Sequence, residues 1–160
     1  MMNPNFVWMQ KRHLSQVLKI EKSCFGDDAW EESDFRVNLR CENVRGVVAE
    51  VEGEIVAYMI YAKYDDVIEV VNLGVATTSR RSGVATLLIG KLKRKLSSRF
   101  KQVVAIVREK NLSAQLFFQQ LGFSATEVLK RHYKTDEDAY IMSYREESVV
   151  RNRIRQYLSV

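Results

Sequence analysis

The sequence predicts a mixed α/β fold, with about seven mostly antiparallel strands and four helices in one domain. Apolar residues recur every three to four positions in four segments, which is helical spacing, whereas residues 44–76 follow an extended pattern. Two short polar turns, Glu52-Gly53 and Asp65-Asp66, divide that extended region into three antiparallel strands. The 160 residues are 46% hydrophobic, and a chain of this length closes one sizeable core more readily than two.

Helical spacing of apolar residues predicts four helices, over residues 13–23, 31–41, 83–99 and 111–121. The third of these is predicted from an apolar stripe of Val84, Leu88, Leu92 and Leu96. Its opposite face is rich in lysine and arginine, which is typical of a solvated surface. For the last helix, Asn111 is the predicted N-cap and Gly122 the stop after the C-terminus.

Extended segments account for the strands. One strand precedes the first helix, and the other six are predicted over residues 44–51, 54–64, 67–76, 102–108, 123–132 and 138–144. The resulting order is β-α-α-β-β-β-α-β-α-β-β, in which two helical crossovers bracket one strand. The domain is expected to cover residues 1–145. Residues 146–160 are expected to form a basic tail with a short helix that carries Arg151, Arg153 and Arg155.

Composition excludes several classes of protein. The longest apolar run, residues 55–62, is far shorter than the roughly twenty residues needed to cross a bilayer, and no secretory signal pattern is found. Only two cysteines and two histidines are present, so neither a disulfide scaffold nor a metal site is expected. Unpaired thiols fit a reducing cytoplasm. The net charge of +5 favours an anionic partner.

One strand-to-helix junction carries the strongest chemical signal. The strand predicted to end at residue 76 leads through a polar loop with Arg80 and Arg81 into a helix that opens with Gly83. A helix N-terminus presents unpaired N–H groups and the positive end of its dipole, and glycine lets the backbone approach a pyrophosphate. The junction therefore predicts a phosphate site, although a basic loop with a glycine at a helix start would give the same pattern.

The run Leu73-Gly74-Val75 followed by Arg80-x-x-Gly83-x-Ala85 resembles the acyl-CoA motif of the GNAT N-acetyltransferase superfamily. The resemblance implies a GNAT-like acyl-CoA N-acyltransferase fold, with acetyl-CoA as cosubstrate and no metal. In that family the strand backbone holds the pantetheine arm and the loop amides hold the pyrophosphate, and the Val75 N–H would polarise the thioester carbonyl. The residues that the resemblance assigns to the cosubstrate are Leu73, Gly74, Val75, Arg80, Arg81, Ser82, Gly83, Val84, Ala85, Thr86, Asn111 and Phe118.

Further segments extend this resemblance over most of residues 6–145. Residues 107–123 are similar to the family's V-R-x-x-N…A…(Y/F)-x-x-L-G-F segment, in which the Asn contacts the pantetheine. The stretches His132-Tyr133 and 137–142 resemble the end of the ribosomal-protein alanine N-acetyltransferases. An early segment of that branch is similar to Phe25, Trp30, Glu32 and Phe35.

The chain departs from the alanine-acetylating branch at both expected catalytic positions. Ile106 stands where that branch has a glutamate base, and Phe118 stands where the family has the tyrosine that protonates the departing thiolate. A positioned acid or base contributes about 10²–10⁴-fold to a rate. Either another group supplies these steps or the protein is a catalytically silent CoA-binding protein.

Three side chains are candidates for the missing roles. Glu69 lies four residues before Leu73, which matches the base of the histone-acetylating branch, and burial on its strand face would raise its pKa toward neutrality. Glu32, on the second helix, is another candidate base. Tyr133 is a candidate acid or a lining residue of the amine site. Each also has a structural interpretation, as a paired or solvated carboxylate or a packed tyrosine.

The predicted activity is direct transfer of an acetyl group from acetyl-CoA to a primary amine in a ternary complex. A peptide α-amine has a pKa of about 7.7–8.0, so about a third is neutral at pH 7.5, whereas a lysine side chain is almost fully charged. The favoured acceptor is therefore a protein or peptide α-amine, and the alternative is a small-molecule amine. The resemblance places the substrate-contacting loops near residues 24–34 and 130–138.

Neither a membrane nor a direct nucleic-acid partner is expected. The lysines and arginines of residues 91–101 lie at solvated positions with little aromatic interleaving, which is unlike a nucleic-acid surface. They could instead help the enzyme dock on a ribosome.

Overall fold

In the computed structural model, which describes residues 3–146, strands and helices follow the predicted order. The helices are α1 (Leu14–Phe25), α2 (Glu32–Arg40), α3 (Val84–Lys93) and α4 (Leu112–Gln120). The strands are β1 (Asn5–Trp8), β2 (Val44–Val51), β3 (Glu54–Tyr64), β4 (Val67–Val75), β5 (Gln102–Arg108), β6 (Ser124–Leu129) and β7 (Ala139–Tyr144). They form one mostly antiparallel sheet in the order β1-β2-β3-β4-β5-β7-β6. The predicted fold class is confirmed, and the tail predicted over residues 146–160 lies outside the described residues apart from residue 146.

The third helix is shorter than predicted. α3 ends at Lys93 instead of residue 99, because the amides of residues 95–96 bond to carbonyls only three residues back, at 3.0 and 3.1 Å. The Ser97 hydroxyl then accepts the Arg99 N–H at 3.2 Å. Serine hydroxyls that bond the local backbone compete with helical bonds, so the helix ends although its apolar stripe continues to Leu96.

The sixth strand is also shorter than predicted, and it ends at Leu129 instead of residue 132. Arg131 adopts a positive φ of 51°, and its N–H donates to the Asp138 carboxylate at 2.9 Å. Lys130 Nζ donates to the other carboxylate oxygen at 2.8 Å. At residue 131 the backbone N–H therefore bonds to the Asp138 side chain and not to a neighbouring strand.

The chain divides into two compact units, Met1–Lys63 with Val70–Lys91 and Tyr64–Glu69 with Leu92–Val160. In the first unit, α1 and α2 contribute their apolar faces to a core shared with β2 and β3. The buried members of this core are Leu14, Val17, Ile20, Phe35, Val44, Val48, Ile55, Tyr58, Ile60 and Ala62. The single domain expected over residues 1–145 stays a prediction.

The hairpin of the first unit confirms the predicted turn between β2 and β3. Glu52 and Gly53 both adopt positive φ, at 51° and 83°, which is the pattern of the type I′ turn that suits two-residue hairpin loops. The resulting register pairs Val48 with Tyr58. Both side chains belong to the core under the helices.

In the second unit, β5, β7 and β6 pair antiparallel beside an aromatic cluster. Phe118 of α4 packs edge-on against Phe123, with ring centroids 5.0 Å apart, and Phe123 lies 5.6 Å from Tyr144. Lys93 Nζ lies 4.1 Å from the Tyr144 ring centroid and donates to the Leu121 carbonyl. This ammonium caps the carbonyl end of α4, and burial lowers the pKa of Lys93.

Of the helices within residues 3–146, none has both the length and the apolar character that crossing a bilayer requires.

Candidate active site

β4 ends in a backbone corner that leads into α3. The Ala76 N–H donates to the Val56 carbonyl at 2.8 Å, and a single 3₁₀ turn over Thr77–Ser79 follows. Arg81 and Gly83 then adopt positive φ, at 59° and 85°. A Cβ on Gly83 would meet nothing within 4 Å, so glycine is favoured there by its left-handed backbone and not by lack of space.

α3 begins directly after this corner. The Leu87 N–H donates to the Gly83 carbonyl at 3.0 Å, so the N–H groups of residues 83–86 precede the first intrahelical bond. Together with the helix dipole, such amides favour an anion. Val84 is only 2% exposed and would contribute through its backbone. Ala85 is half-buried, and the exposed side chains around these amides are those of Arg80, Arg81, Ser82 and Thr86.

Gly74 lies where β4 meets the ring of Tyr58. A Cβ at Gly74 would come within 2.5 Å of Tyr58 Cε1, which is closer than packed carbon atoms approach. Leu73 and Val75, on the other face of the strand, are half-buried. Aromatic packing therefore requires glycine at position 74, and the role predicted for it toward the cosubstrate depends on its backbone alone.

The C-terminal end of α1 lies against the same corner. Ser23 Oγ and Thr77 Oγ1 are 3.0 Å apart, and the Cys24 thiol donates to the Val75 carbonyl at 3.4 Å. Arg80 Nη2 lies 3.7 Å from the Cys24 sulfur. The segment that follows α1 therefore starts within hydrogen-bond distance of the strand predicted to hold the cosubstrate.

A buried polar network, which the sequence analysis did not single out, lies beside Gly74. Glu21 of α1 is 1% exposed. Its Oε1 accepts the Trp30 N–H at 2.7 Å, and its Oε2 accepts Asn72 Nδ2 at 3.0 Å and the Tyr58 hydroxyl. Burial, and then the bond to the Glu21 carboxylate, raise the pKa of Tyr58 far above its ordinary value.

Spacing in the sequence carried a signal for this network. Glu21 follows Val17 by four residues on the buried face of α1, and Asn72 alternates with Ile68 and Val70 on the buried face of β4. Polar groups at core positions require hydrogen-bond partners. The identity of those partners depends on packing between segments that are distant in the chain.

The two candidate bases have different surroundings. Glu69 is half-buried in β4, and burial raises its pKa, as a general base requires. Glu32 is exposed at the start of α2, where Arg36 Nε donates to its Oε1 at 2.8 Å. That pair, four residues apart, is ordinary for the surface of a helix. The environment favours Glu69 as the base.

Tyr133 lies in the loop between β6 and β7, within a second polar cluster. The Arg108 guanidinium is 3.9 Å from the Tyr133 ring centroid, and Arg108 Nη1 donates to Glu137 Oε2 at 2.9 Å. Burial raises the pKa of Tyr133, against an opposing effect of Arg108. Burial also raises the pKa of Glu137, but hydrogen bonds from Arg108 and the Lys110 N–H outweigh it and leave that pKa below its ordinary value.

Two further residues assigned to the cosubstrate lie in the second unit. Asn111 Oδ1 accepts the Ala114 N–H at 3.1 Å, which confirms the predicted N-cap of α4 and leaves the side-chain NH₂ as a donor. Phe118 is 5% exposed, and its ring packs on Phe123. A phenyl ring has no proton to donate, so Phe118 does not supply the acid that the resemblance implies at this position.

Comparisons with known proteins agree with this fold. Residues 14–123 match the acetyltransferase (GNAT) family. An N-alpha-acetyltransferase from Sulfurisphaera tokodaii is 29% identical over 144 residues, which cover 81% of this chain and 86% of the relative.

Solved structures that share the fold at low sequence identity include two acetyltransferases. The ribosomal-protein-S18-alanine N-acetyltransferase from Escherichia coli has a TM-score of 0.75 at 22% identity, over 89% of this chain and 94% of its own. Arabidopsis thaliana NAA60 in complex with acetyl-CoA has a TM-score of 0.75 at 18% identity, over 91% of this chain and 99% of its own.

Proposed function

The chain belongs to the GNAT acetyltransferase family, and from this membership we propose that it transfers the acetyl group of acetyl-CoA to the N-terminal α-amine of a protein or peptide. The observation that carries the proposal is the corner between β4 and α3, where residues 83–86 offer N–H groups to a diphosphate. The Sulfurisphaera tokodaii relative is named an N-alpha-acetyltransferase, which supports this class of acceptor. An α-amine also demands less of a base than a lysine side chain does.

In this proposal, backbone groups bind the cosubstrate. The amides of residues 83–86 hold the diphosphate, with charge-assisted bonds from Arg80 and Arg81. The β4 backbone at Leu73–Val75 holds the pantetheine arm, and the Asn111 side-chain NH₂ is a further donor to it. The Val75 N–H polarises the thioester carbonyl, and this role does not depend on any side chain.

Glu69 serves as the general base through water. Glu69 and Val75 are six residues apart on β4, or about 20 Å at about 3.3 Å per residue, so in this proposal the carboxylate acts on the acceptor ammonium only through a chain of several bound waters. The neutral amine then attacks the thioester carbonyl carbon, the C–S bond breaks as the intermediate collapses, and the second proton of the amine nitrogen passes to water or to the departing thiolate. A thiolate with a pKa near 8.5 leaves without obligatory protonation, and Tyr133 is the candidate acid where a proton is supplied.

The cellular setting belongs to the proposal as well. A protein N-terminus becomes available during synthesis, so the ribosome is a fitting docking partner for an enzyme with a net charge of +5. Both cysteines, Cys24 and Cys41, are free thiols, which supports a reducing cytoplasm.

Turnover of acetyl-CoA across a panel of N-terminal peptides, free amino acids and polyamines tests the acceptor class. We expect the highest kcat/KM with peptides that have a free α-amine, and loss of turnover when that amine is blocked. Preference for free amino acids or polyamines would instead identify a small-molecule acetyltransferase. A rise in Tm with acetyl-CoA but no turnover on any amine would identify a silent CoA-binding protein.

Two glycines provide a matched test of the corner. Gly83 and Gly53 have φ of 85° and 83°, and a Cβ on either would meet nothing within 4 Å, so G83A and G53A should lose similar stability, about 1 kcal/mol. Only G83A should weaken acetyl-CoA binding, by about tenfold or more, because a displaced donor to a charged group costs about 1.5–3 kcal/mol. Equal acetyl-CoA affinity in the two variants, measured by calorimetry, would remove the corner from the binding site.

A further inference from the structure

We propose that Glu21 is a positioning residue for the acceptor amine: its buried carboxylate fixes the segment between α1 and α2 against the strands β3 and β4. The inference rests on the proposed function, because it requires this segment, residues 26–31, to contact the acceptor. Glu21 itself touches no reacting atom in this proposal. It acts through the Trp30 backbone.

The two carboxylate oxygens of Glu21 bond different parts of the fold. Oε1 accepts the Trp30 N–H at 2.7 Å, which belongs to the segment. Oε2 accepts the Tyr58 hydroxyl of β3 and Asn72 Nδ2 of β4, the latter at 3.0 Å. All three are neutral donors, and they surround a carboxylate that is 1% exposed. The side chain therefore joins the segment to the sheet through one rigid group.

A row of aromatic rings makes the same connection. The Trp30 ring lies edge-on to Phe35, with centroids 5.2 Å apart, and Phe35 lies edge-on to Tyr58 at 5.8 Å. Tyr58 in turn occupies the space that a Cβ on Gly74 would need. The row of rings therefore fixes the Trp30 side chain against β3 and β4.

Elsewhere in the segment, the hydrogen bonds lie at the surface. The Ala29 N–H donates to the Gly26 carbonyl at 3.3 Å, and Lys22 Nζ donates to the same carbonyl at an exposed position. Gly26 has a positive φ of 56° and open space around its Cβ position. Loss of the buried bond to Trp30 should therefore loosen residues 26–31 while the core of α1 stays packed.

The test compares E21Q and Y58F with Y61F. E21Q keeps the shape of Glu21 but replaces one of its two acceptor oxygens with an NH₂ donor, and Y58F removes the hydroxyl that donates to Oε2 while the ring still packs. Tyr61 is a buried tyrosine, 1% exposed, on the opposite face of β3, so Y61F is the matched control for loss of a buried hydroxyl. Each variant is assayed with acetyl-CoA and the best acceptor peptide of the panel, and Y58F alone carries the test if E21Q does not fold.

We expect KM for the acceptor peptide to rise about tenfold or more in E21Q, and less in Y58F, because small misplacements of a reactant are costly. KM for acetyl-CoA should stay within about twofold of the parent. In a W8F background, where Trp30 is the only tryptophan, acrylamide quenching of its fluorescence should rise in E21Q. Y61F should change none of these quantities.

The inference is overturned if acceptor KM and Trp30 quenching in E21Q equal those of Y61F, or if both KM values rise together. Either result, with normal turnover in the parent protein, leaves the proposed function in place. Absence of turnover by the parent on every amine would instead overturn the proposed function and the acceptor role of Glu21 with it.

Discussion

The molecule has two polar networks that differ in depth. Glu21 is 1% exposed and accepts hydrogen bonds from three neutral donors within the core of its unit. Asp138, near the surface, accepts hydrogen bonds from Lys130 Nζ at 2.8 Å and from the Arg131 N–H at 2.9 Å. The Lys130 side chain is 78% exposed. A buried group that loses its partner stays unsatisfied, whereas an exposed group bonds to water. Stability should therefore depend far more on the first network than on the second.

The largest effect on stability is expected when the Glu21 carboxylate, the shared acceptor of the buried network, is removed. E21A leaves the Trp30 N–H and Asn72 Nδ2 without their acceptor and leaves the Tyr58 hydroxyl only its longer bond to Asn72 Oδ1, at 3.3 Å. It should lower the free energy of unfolding by about 3 kcal/mol. Urea titration measures this loss. Glu54 is exposed at the start of β3, and E54A is the control. A loss in E21A no greater than that in E54A would show that the network does not stabilise the fold.

Glu69 is an intermediate case, since it is half-buried and burial raises its pKa above the ordinary 4.5. The stability linked to a raised carboxyl pKa is present below 4.5 and lost as the pH rises through the folded-state pKa, so the charged form carries a cost at pH 7. E69Q should therefore raise Tm by about 2 °C or less at pH 7, with a gain that disappears below pH 4.5.

The same substitution should lower kcat/KM about 10²-fold, if Glu69 is the base. E127Q, at an exposed position on β6, is the control for both measurements. Turnover by E69Q equal to that of E127Q would remove Glu69 from the mechanism, and a Tm below that of the parent at pH 7 would contradict the cost assigned to its charged form.

The smallest effect is expected at the surface network. The Lys130 hydrogen bond, and then the Arg131 N–H, hold the pKa of Asp138 below its ordinary value, but water and salt screen an exposed pair. K130A should leave Tm within experimental error from low to high salt. A clear fall in Tm at low salt would mean that the surface network contributes to stability as the buried network does, and would contradict the comparison.

Features fixed by neighbouring residues were predictable. The Glu52-Gly53 turn, the Asn111 cap and the junction from β4 to α3 each follow from a few adjacent side chains and their preferred backbone angles. The end of α3 was predicted wrongly although it is local, because the bond from the Arg99 N–H to Ser97 competes with an apolar stripe that continues to Leu96.

Features fixed by distant residues were not predictable. Glu21 bonds to Tyr58 and Asn72, which lie 37 and 51 residues away in the sequence. The helical spacing of apolar residues in α1 indicates only that a carboxylate faces the core. The same limit applies in part to the catalytic candidates. The strand position of Glu69 predicted both a candidate base and the burial that raises its pKa, but the exposed ion pair of Glu32 with Arg36 became visible only once α2 had formed.

The contact between Tyr58 and Gly74 makes the two positions mutationally interdependent. Alanine at 74 would collide with the ring at 2.5 Å, so a lineage can enlarge residue 74 only after residue 58 has shrunk. Shrinking residue 58 removes the hydroxyl that bonds Glu21, so that step carries its own penalty. Redesign of this part of β4 must therefore treat positions 21, 58 and 74 as one unit, because a change at any one of them alters which residues the other two positions accommodate.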